Sequence, residues 1–200
     1  FPMRIAEATI QTSLEEEYPN LRNHMILISG DLNHLYDFIH PFRQRNLGKL
    51  QYIVLLTSCE IPHDVWSEVS VFEGILIVRG NPHQVSAMRN AGIFRASHVV
   101  ILADPPSDIT RGESSGVDAI VDADAIFTYH LVKKLNDRAH VVIEIVCREN
   151  VRYLDPYASG ECDNFDFRFT SHFASGGLFL SGIVDTIIPQ AFYNPHLLVL

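Results

Sequence analysis

The stretch His24-Met25-Ile26-Leu27-Ile28-Ser29-Gly30-Asp31 decides the fold class of this chain. Its apolar residues run without interruption towards a glycine, and Leu35, Phe38 and Ile39 then follow at helical spacing. An uninterrupted apolar run that leads into a helix is typical of a strand buried on both faces, as the strands of parallel sheets are. The stretch therefore predicts a first strand–helix unit.

The same unit recurs along the chain. Further apolar runs occupy residues 51–57, 74–78, 98–102 and 141–146. Helical patterns separate these runs at residues 62–68, 84–91 and 118–135. Pro41 is expected to kink the first helix, and Gly92 is expected to end the third. Strands alternating with helices in this way predict an α/β fold with a doubly wound, mainly parallel Rossmann-like sheet.

Helix 118–135 has the clearest pattern in the chain. Its apolar face is predicted to hold Ile120, Ala123, Phe127 and Leu131. His130 lies beside that face, where a histidine is more often packed in a core than bound to a ligand. A shorter helix is expected around residues 5–17, and the proline- and glycine-rich segment 104–116 predicts an exposed loop.

The composition of the chain argues against several classes of function and structure. The chain has 200 residues, with Lys+Arg 15 against Asp+Glu 24 and a formal net charge of −9. So acidic a surface repels phosphate backbones, which argues against nucleic-acid partners. Cys59, Cys147 and Cys162 lie far apart, which argues against a disulfide framework or a four-cysteine zinc site. No apolar stretch approaches the about 20 residues of a membrane helix, and the apolar end at Leu200 is expected to be a cut within a longer protein.

The loop after the first strand is the usual nucleotide site of a Rossmann fold, and here it lacks the necessary glycines. Gly30 is the only glycine in residues 29–34, and Leu32 stands where the backbone should approach a pyrophosphate. Asp31 is instead expected to cap the following helix. The chain also lacks G-x-S-x-G, H-E-x-x-H and Walker sequences. We therefore expect neither NAD binding nor enzyme activity, with a Rossmann nucleotide-binding module or enzyme as an alternative.

Two acidic features could bind a cation or a partner. Glu144 places a carboxylate inside a buried strand, where it is either satisfied by its neighbours or serves as a ligand or interdomain contact. A turn-rich segment carries a dense set of oxygen donors: Asp155, Glu161, Asp163, Asn164 and Asp166. Calcium takes about six to eight oxygen ligands, many from loop carbonyls, so this set is a candidate Ca2+ site. A solvated acidic loop is the alternative.

The chain beyond this loop departs from the alternation of strands and helices. Residues 165–169 alternate aromatic and charged side chains, which predicts a half-exposed strand. Residues 178–192 predict a long apolar helix interrupted at Pro189. Such a helix carries more apolar surface than one Rossmann unit covers. We therefore expect a C-terminal helical crossover arm that packs on a partner domain or subunit.

Short motifs, taken in order, resemble the second RCK (regulator of K+ conductance) domain of Slo-type potassium channels. This family comprises the large-conductance calcium-activated (BK) channels and their sodium-activated relatives. The matching pieces are Pro41-Phe42-Arg43, Tyr52-Ile53-Val54-Leu55, Tyr153-Leu154-Asp155, His172-Phe173-Ala174-Ser175-Gly176 and Val184-Asp185-Thr186. The resemblance runs from about His24 to the end of the chain.

The resemblance implies a cytosolic gating-ring module of a ligand-gated potassium channel, not an enzyme. Such domains pair within each subunit, and four subunits close a ring below the pore. The implied partners are thus the first RCK domain of the same subunit and the neighbouring subunits, with membrane contact only through the pore domain. The implied divisions are a lead-in segment (1–22), a Rossmann-like RCK lobe (23–150), an acidic loop with a short strand (151–170) and crossover helices for dimerisation (171–200).

The acidic loop departs from the calcium bowl of BK channels, which is a nearly unbroken run of aspartates. In an alignment that starts from the motif at residues 172–176, Cys162 and Asn164 stand where the bowl has aspartates. Glu161, Asp163 and Asp166 are the carboxylates left to substitute. Sodium-activated relatives lack the bowl, so a ring-forming RCK domain without its own ligand is a further alternative.

Overall fold

Parallel strands form one sheet through the described part of the chain. The computed structural model describes residues 9–10, 13–44, 47–48, 50–103, 122–155 and 166–182. Its strands are β1 (Thr9–Ile10), β2 (Met25–Ile28), β3 (Ile53–Thr57), β4 (Ile75–Arg79), β5 (His98–Ile101), β6 (His140–Ile145) and β7 (Leu178–Leu180). They lie in the order β1-β4-β3-β2-β5-β6-β7, and every neighbouring pair is parallel. This order confirms the doubly wound Rossmann-like sheet, whose winding reverses between β2 and β5.

Helices connect and flank these strands. Within the described residues the α-helices are α1 (Leu14–Glu17), α2 (Leu35–Ile39), α3 (His63–Val69), α4 (Val85–Asn90), α5 (Ala123–Leu135) and α6 (Ser171–Ala174). Short 3-10 helices cover His40–Arg43, Ile93–Arg95, Arg148–Tyr153 and Phe167–Phe169. The predicted alternation of strand and helix is therefore confirmed from β2 to β6.

The sheet separates two apolar cores, and β2 contributes to both because successive side chains point to opposite faces. Ile26 and Ile28 belong to the core that contains α4 and α5, whereas Met25 and Leu27 belong to the core that contains α2 and α3. All are at most 7% exposed. Burial of an aliphatic side chain contributes about 1.5–3 kcal/mol, which explains why the run contains no polar residue.

The predicted buried face of the long helix is wrong. The described helix α5 buries another set of residues: Ala125, Thr128, Tyr129 and Val132. Phe127 is 57% exposed, Ala123 is exposed and Leu131 is half-buried. The buried face of α5 includes the polar Thr128 beside apolar residues. Hydrophobic periodicity therefore favours the more apolar face that contains Phe127 and Leu131, which is not the buried one. Ile120, the fourth residue of the predicted face, lies outside the described residues.

Two predictions for the C-terminal part are corrected. Phe167–Phe169, expected to lie in a half-exposed strand, is a 3-10 helix, because the Asp166 carboxylate accepts a hydrogen bond from the Arg168 N–H and turns the backbone. Leu178–Leu180, expected to begin a helix, forms β7 because the edge of β6 is open to it. The predicted arm from residue 183 onward, with its break at Pro189, lies outside the described residues, as does loop 104–116.

The helix expected around residues 5–17 is shorter than predicted. Only Leu14–Glu17 is helical in the described part, and Ser13 caps it by accepting a hydrogen bond from the Glu16 N–H. Thr9–Ile10 instead pairs with β4 at the edge of the sheet. The open edge of β4 therefore outweighs the local helical pattern.

Two local predictions are confirmed where helices end. Pro41 lies in the first turn of the 3-10 helix that continues α2, so the helical geometry changes there. Gly92 follows α4 with a φ of 72°, a left-handed conformation that glycine adopts without strain. His24 packs close by, with its Nε2 3.1 Å from the Ala91 carbonyl oxygen, and burial lowers the pKa of its ring.

Candidate functional site

A cleft of about 210 Å³ opens at the carboxyl ends of β2 and β5. The winding of the sheet reverses here, and ligands of open α/β sheets bind at this position. Its polar lining includes Ser29, Ser58, Asn81, His83, Asp124 and Thr128. The cleft is smaller than the about 300 Å³ at which small-molecule sites usually begin.

The loop at the base of this cleft is closed by its own contacts. The Ser29 hydroxyl donates to the Asp31 carbonyl, and the Asp31 side chain accepts the Asn33 N–H at 2.9 Å. Helix α2 begins only at Leu35 and has no side-chain cap, so the predicted capping role of Asp31 is wrong. Asp31 forms a local turn because its carboxylate reaches the N–H two residues on more easily than the helix. Leu32 is 5% exposed and fills the place of a phosphate-binding glycine.

His83 and Asp124 meet at the cleft. The His83 Nε2 lies 3.8 Å from the Asp124 carboxylate, which is 89% exposed. The His83 ring also packs edge-on against Phe127, with ring centroids 5.3 Å apart. Because solvent screens so exposed a pair, it contributes little stability by itself.

Asp122 is a buried carboxylate at the same edge of the sheet. It lies directly before α5, is 0% exposed and accepts three hydrogen bonds. The donors are the Val146 N–H at 2.8 Å, the Cys147 N–H at 2.9 Å and the Asn150 side-chain amide at 2.8 Å. This carboxylate therefore joins the start of α5 to the turn that follows β6.

Neighbouring groups donate hydrogen bonds to the Glu144 carboxylate. This is the first of the two roles that the sequence predicts for it. The Ser181 hydroxyl donates to one oxygen at 2.8 Å, and the Ala103 N–H donates to the other at 3.2 Å. Ala103 follows β5 and Ser181 follows β7. Glu144 thus joins three neighbouring strands where they end.

The candidate cation loop is described only at its two ends. Asp155 follows the 3-10 helix Arg148–Tyr153, and Asp166 precedes the one at Phe167–Phe169. The Arg168 guanidinium donates to both oxygens of Asp166, at distances from 2.6 to 3.0 Å, and these hydrogen bonds lower the pKa of Asp166 to about 2. Glu161, Asp163 and Asn164 lie outside the described residues.

Residues that flank the two ends of this loop contact the long helix. The Tyr129 hydroxyl lies 3.3 Å from Nδ1 of His172 on α6, and burial together with the nearby Asp155 charge raises the pKa of Tyr129 to about 12. Burial lowers the pKa of His172, against the opposing effect of the same aspartate. His130, predicted to be packed in the core, is exposed, and its Nε2 lies 2.8 Å from the Tyr153 carbonyl oxygen.

Several of these residues escaped the sequence analysis. The predicted helix 118–135 contains both Asp122 and Tyr129, but the sequence pattern gives neither residue a special role, because their partners lie 24 to 43 positions away. The described residues contain no group of three or more His, Cys, Asp or Glu side chains that could hold a metal ion. None of the helices in that part of the chain has the length and apolar character that a bilayer crossing requires.

This chain is a Rossmann-like domain by the order of its strands. The loop after β2, where such domains usually bind a nucleotide, is closed by contacts among its own residues, and Glu144 links the ends of β5, β6 and β7. The chain belongs to the calcium-activated potassium channel slowpoke-like RCK domain family, whose model matches residues 20–143. The predicted resemblance to Slo-type RCK domains is therefore confirmed. Its assignment to the second RCK position stays a prediction.

Individual relatives agree with this family. The human potassium channel subfamily T member 1 is 24% identical over 198 residues, covering 90% of this chain and 16% of the relative. Potassium channel subfamily U member 1 of Macaca fascicularis is 22% identical, covering 100% of this chain and 20% of the relative. The chain thus spans a fifth or less of these relatives.

Solved structures share the fold. The human SLO3 gating ring superposes with a TM-score of 0.77 at 22% identity, over 99% of this chain and 35% of that one. The TrkA-N domain of the Escherichia coli inner membrane protein ybaL gives a TM-score of 0.50 at 13% identity, over 86% of this chain and 98% of that one. Because the sequence identities are at most 22%, these similarities establish the Rossmann-like fold and nothing further.

Proposed function

We propose that this chain is a cytosolic regulatory domain in the gating ring of a ligand-gated potassium channel, and that it senses a cation such as Ca2+. The family match over residues 20–143 carries the proposal of a channel role. The role is regulatory, not catalytic. The proposed partners are the first RCK domain of the same subunit and the neighbouring subunits of a four-membered ring below the pore.

The cation-sensing part of the proposal rests on residues 155–166. Asp155 and Asp166 bound a segment that carries three more oxygen donors: Glu161, Asp163 and Asn164. A chain with a net charge of −9 favours cation binding at an acidic segment such as this one. Arg168 already holds Asp166, so a bound ion either displaces that guanidinium or takes its carboxylates from the other positions.

The contacts at the ends of this segment offer a route from ligand to fold. Tyr153, next to the first end, contacts His130 on α5 through its carbonyl oxygen. Beyond the second end, His172 on α6 contacts Tyr129 of the same helix. We propose that a cation, by drawing the segment together, changes the strain on both contacts and so the position of α6 and the chain beyond it. That displacement is what a gating ring would pass to the pore.

A calcium titration of the chain tests this proposal. We expect millimolar Ca2+ to raise the melting temperature, because a ligand that binds only the folded state stabilises it by about 2.7 kcal/mol at a hundredfold excess over Kd. Asp163→Ala removes a carboxylate from the middle of the segment and should abolish most of the shift. Asp64→Ala, at an exposed position on α3, is the matched control and should keep it.

Two results would count against cation sensing. A melting temperature that millimolar Ca2+ leaves unchanged would favour a ring-forming RCK domain without its own ligand. An equal shift in wild type and Asp163→Ala would move the site away from residues 155–166. Stabilisation by NAD, NADP, AMP or ADP in the same assay would instead favour the nucleotide-binding alternative.

A further inference from the structure

Two histidines face each other at the amino ends of the central strands. His98 begins β5 and His140 begins β6, and the parallel register pairs them directly. Both are exposed, and their ring centroids lie 5.9 Å apart with an angle of 74° between the ring planes. The two histidines begin the same four-residue sequence, His-Val-Val-Ile, which occurs at residues 98–101 and again at 140–143. Only the strand register brings the two copies side by side.

The hydrogen bonds of Ser97 favour one protonation state of the His98 ring. The Ser97 hydroxyl oxygen lies 3.0 Å from the Asn23 carbonyl oxygen and 3.5 Å from that of His24, and either carbonyl can accept its single proton. The same oxygen lies 2.8 Å from the His98 Nδ1, and with the hydroxyl proton directed at a carbonyl the Nδ1 is the N–H partner of this contact. The His98 Nε2 is left with its lone pair. Orientation of a ligating imidazole by a hydrogen bond at its other nitrogen is the usual arrangement at metal sites.

We propose that His98 and His140 together bind a divalent transition metal ion that prefers imidazole, with Zn2+ as the probe. Two imidazoles on one tetrahedral ion, with metal–nitrogen bonds of about 2.0–2.1 Å, place their ring centroids about 5 Å apart. The observed separation of 5.9 Å is within reach of small side-chain rotations. The pair lies at the opposite end of the strands from the cleft.

The site differs in chemistry from the proposed Ca2+ segment. Imidazole nitrogen suits Zn2+, Cu2+ and Ni2+, whereas Ca2+ takes oxygen ligands. The described residues supply two side chains, so water completes the coordination of the ion. The net charge of −9 favours a cation over an anion at this exposed position.

Isothermal titration of the chain with Zn2+ tests the proposal. Saturating Ca2+ is present to occupy oxygen-donor sites. We expect one Zn2+ per chain, and about tenfold or greater loss of affinity in His98→Gln and in His140→Gln. Ser97→Ala should also weaken binding, because it removes the group that orients the His98 ring. His63→Gln, which changes an exposed histidine on α3, is the matched control and should bind Zn2+ as the wild type does.

Folding of each variant is checked by its melting temperature in EDTA. If a variant does not fold, histidine-selective NMR of the wild-type chain replaces it, and Zn2+ must then shift the ring signals of His98 and His140. Absence of Zn2+ binding in the wild type would overturn the proposal. So would unchanged affinity in both histidine variants, or shifts confined to other histidines.

Discussion

Asp122 is the one buried acidic residue in the part of the chain that the structure describes. A carboxylate with no exposed surface is costly unless hydrogen bonds compensate for the lost water. Here three donors do so, two of them backbone N–H groups of the turn after β6. The residue stands at the N-terminal end of α5, where the helix dipole also favours a negative charge. Asp122 therefore fixes the angle between α5 and the chain that leads to the cation segment.

Replacing Asp122 should destabilise the fold strongly. In Asp122→Ala the N–H groups of Val146 and Cys147 and the Asn150 amide lose their acceptor in a buried site. We expect the free energy of unfolding to fall by about 3 kcal/mol, measured by urea denaturation. Asp124→Ala, two residues on and 89% exposed, should change it by less than about 0.5 kcal/mol. Equal effects of the two substitutions would show that the hydrogen bonds of Asp122 contribute nothing.

The sequence is least informative about the contacts of individual side chains. The role of Asp155 and Asp166 as cation ligands stays a prediction, and the surroundings of both side chains are visible only in the structure. The sequence did not indicate that Arg168 holds Asp166, or that Asp155 lies close enough to Tyr129 to raise its pKa. Such contacts depend on distances between elements, and a pattern along the chain carries no information about them.

Strands buried on both faces were the elements that could be predicted best. Every residue of β2 and β3 is buried, and the one polar residue among them, Thr57, lies at the end of β3, so each strand is visible as an apolar run. Strand β7 was missed because its three residues are too few to distinguish a period of two from a helical period. Its pairing with β6 is a long-range interaction, and it overrides the local preference for a helix.

The end of α4 offers a direct test of helix termination. A Cβ at Gly92 would lie 2.8 Å from the Leu14 side chain and 3.1 Å from the His24 ring, on a backbone with positive φ. Gly92→Ala therefore combines backbone strain with a clash in the core, and we expect a loss of about 2 kcal/mol by thermal or urea unfolding. At Gly48 a Cβ meets no atom within 4 Å, so Gly48→Ala is the control and should be nearly neutral. A neutral Gly92→Ala would contradict the described helix end.

Taken together, the domain separates its features between the two ends of its strands. At the carboxyl ends lie the cleft and Glu144. At the amino ends lies the proposed metal site of His98 and His140. The net charge of −9 favours cations over anions around the domain as a whole, in keeping with the proposed role in cation sensing. The fold was predictable because it follows from repeated local patterns, whereas the arrangement of side chains around its sites was not.

The most direct test of the regulatory role is a recording from excised inside-out membrane patches that contain potassium channels carrying this chain. Ca2+ is applied to the exposed cytosolic side, and open probability is measured for wild type, Asp163→Ala and the control Asp64→Ala. We expect Ca2+ to raise the open probability of the wild type and of the control. In Asp163→Ala the Ca2+ concentration for half-maximal opening should increase about tenfold, which corresponds to about 1.4 kcal/mol of lost binding energy. Identical Ca2+ responses in all three channels would contradict a sensing role for this domain.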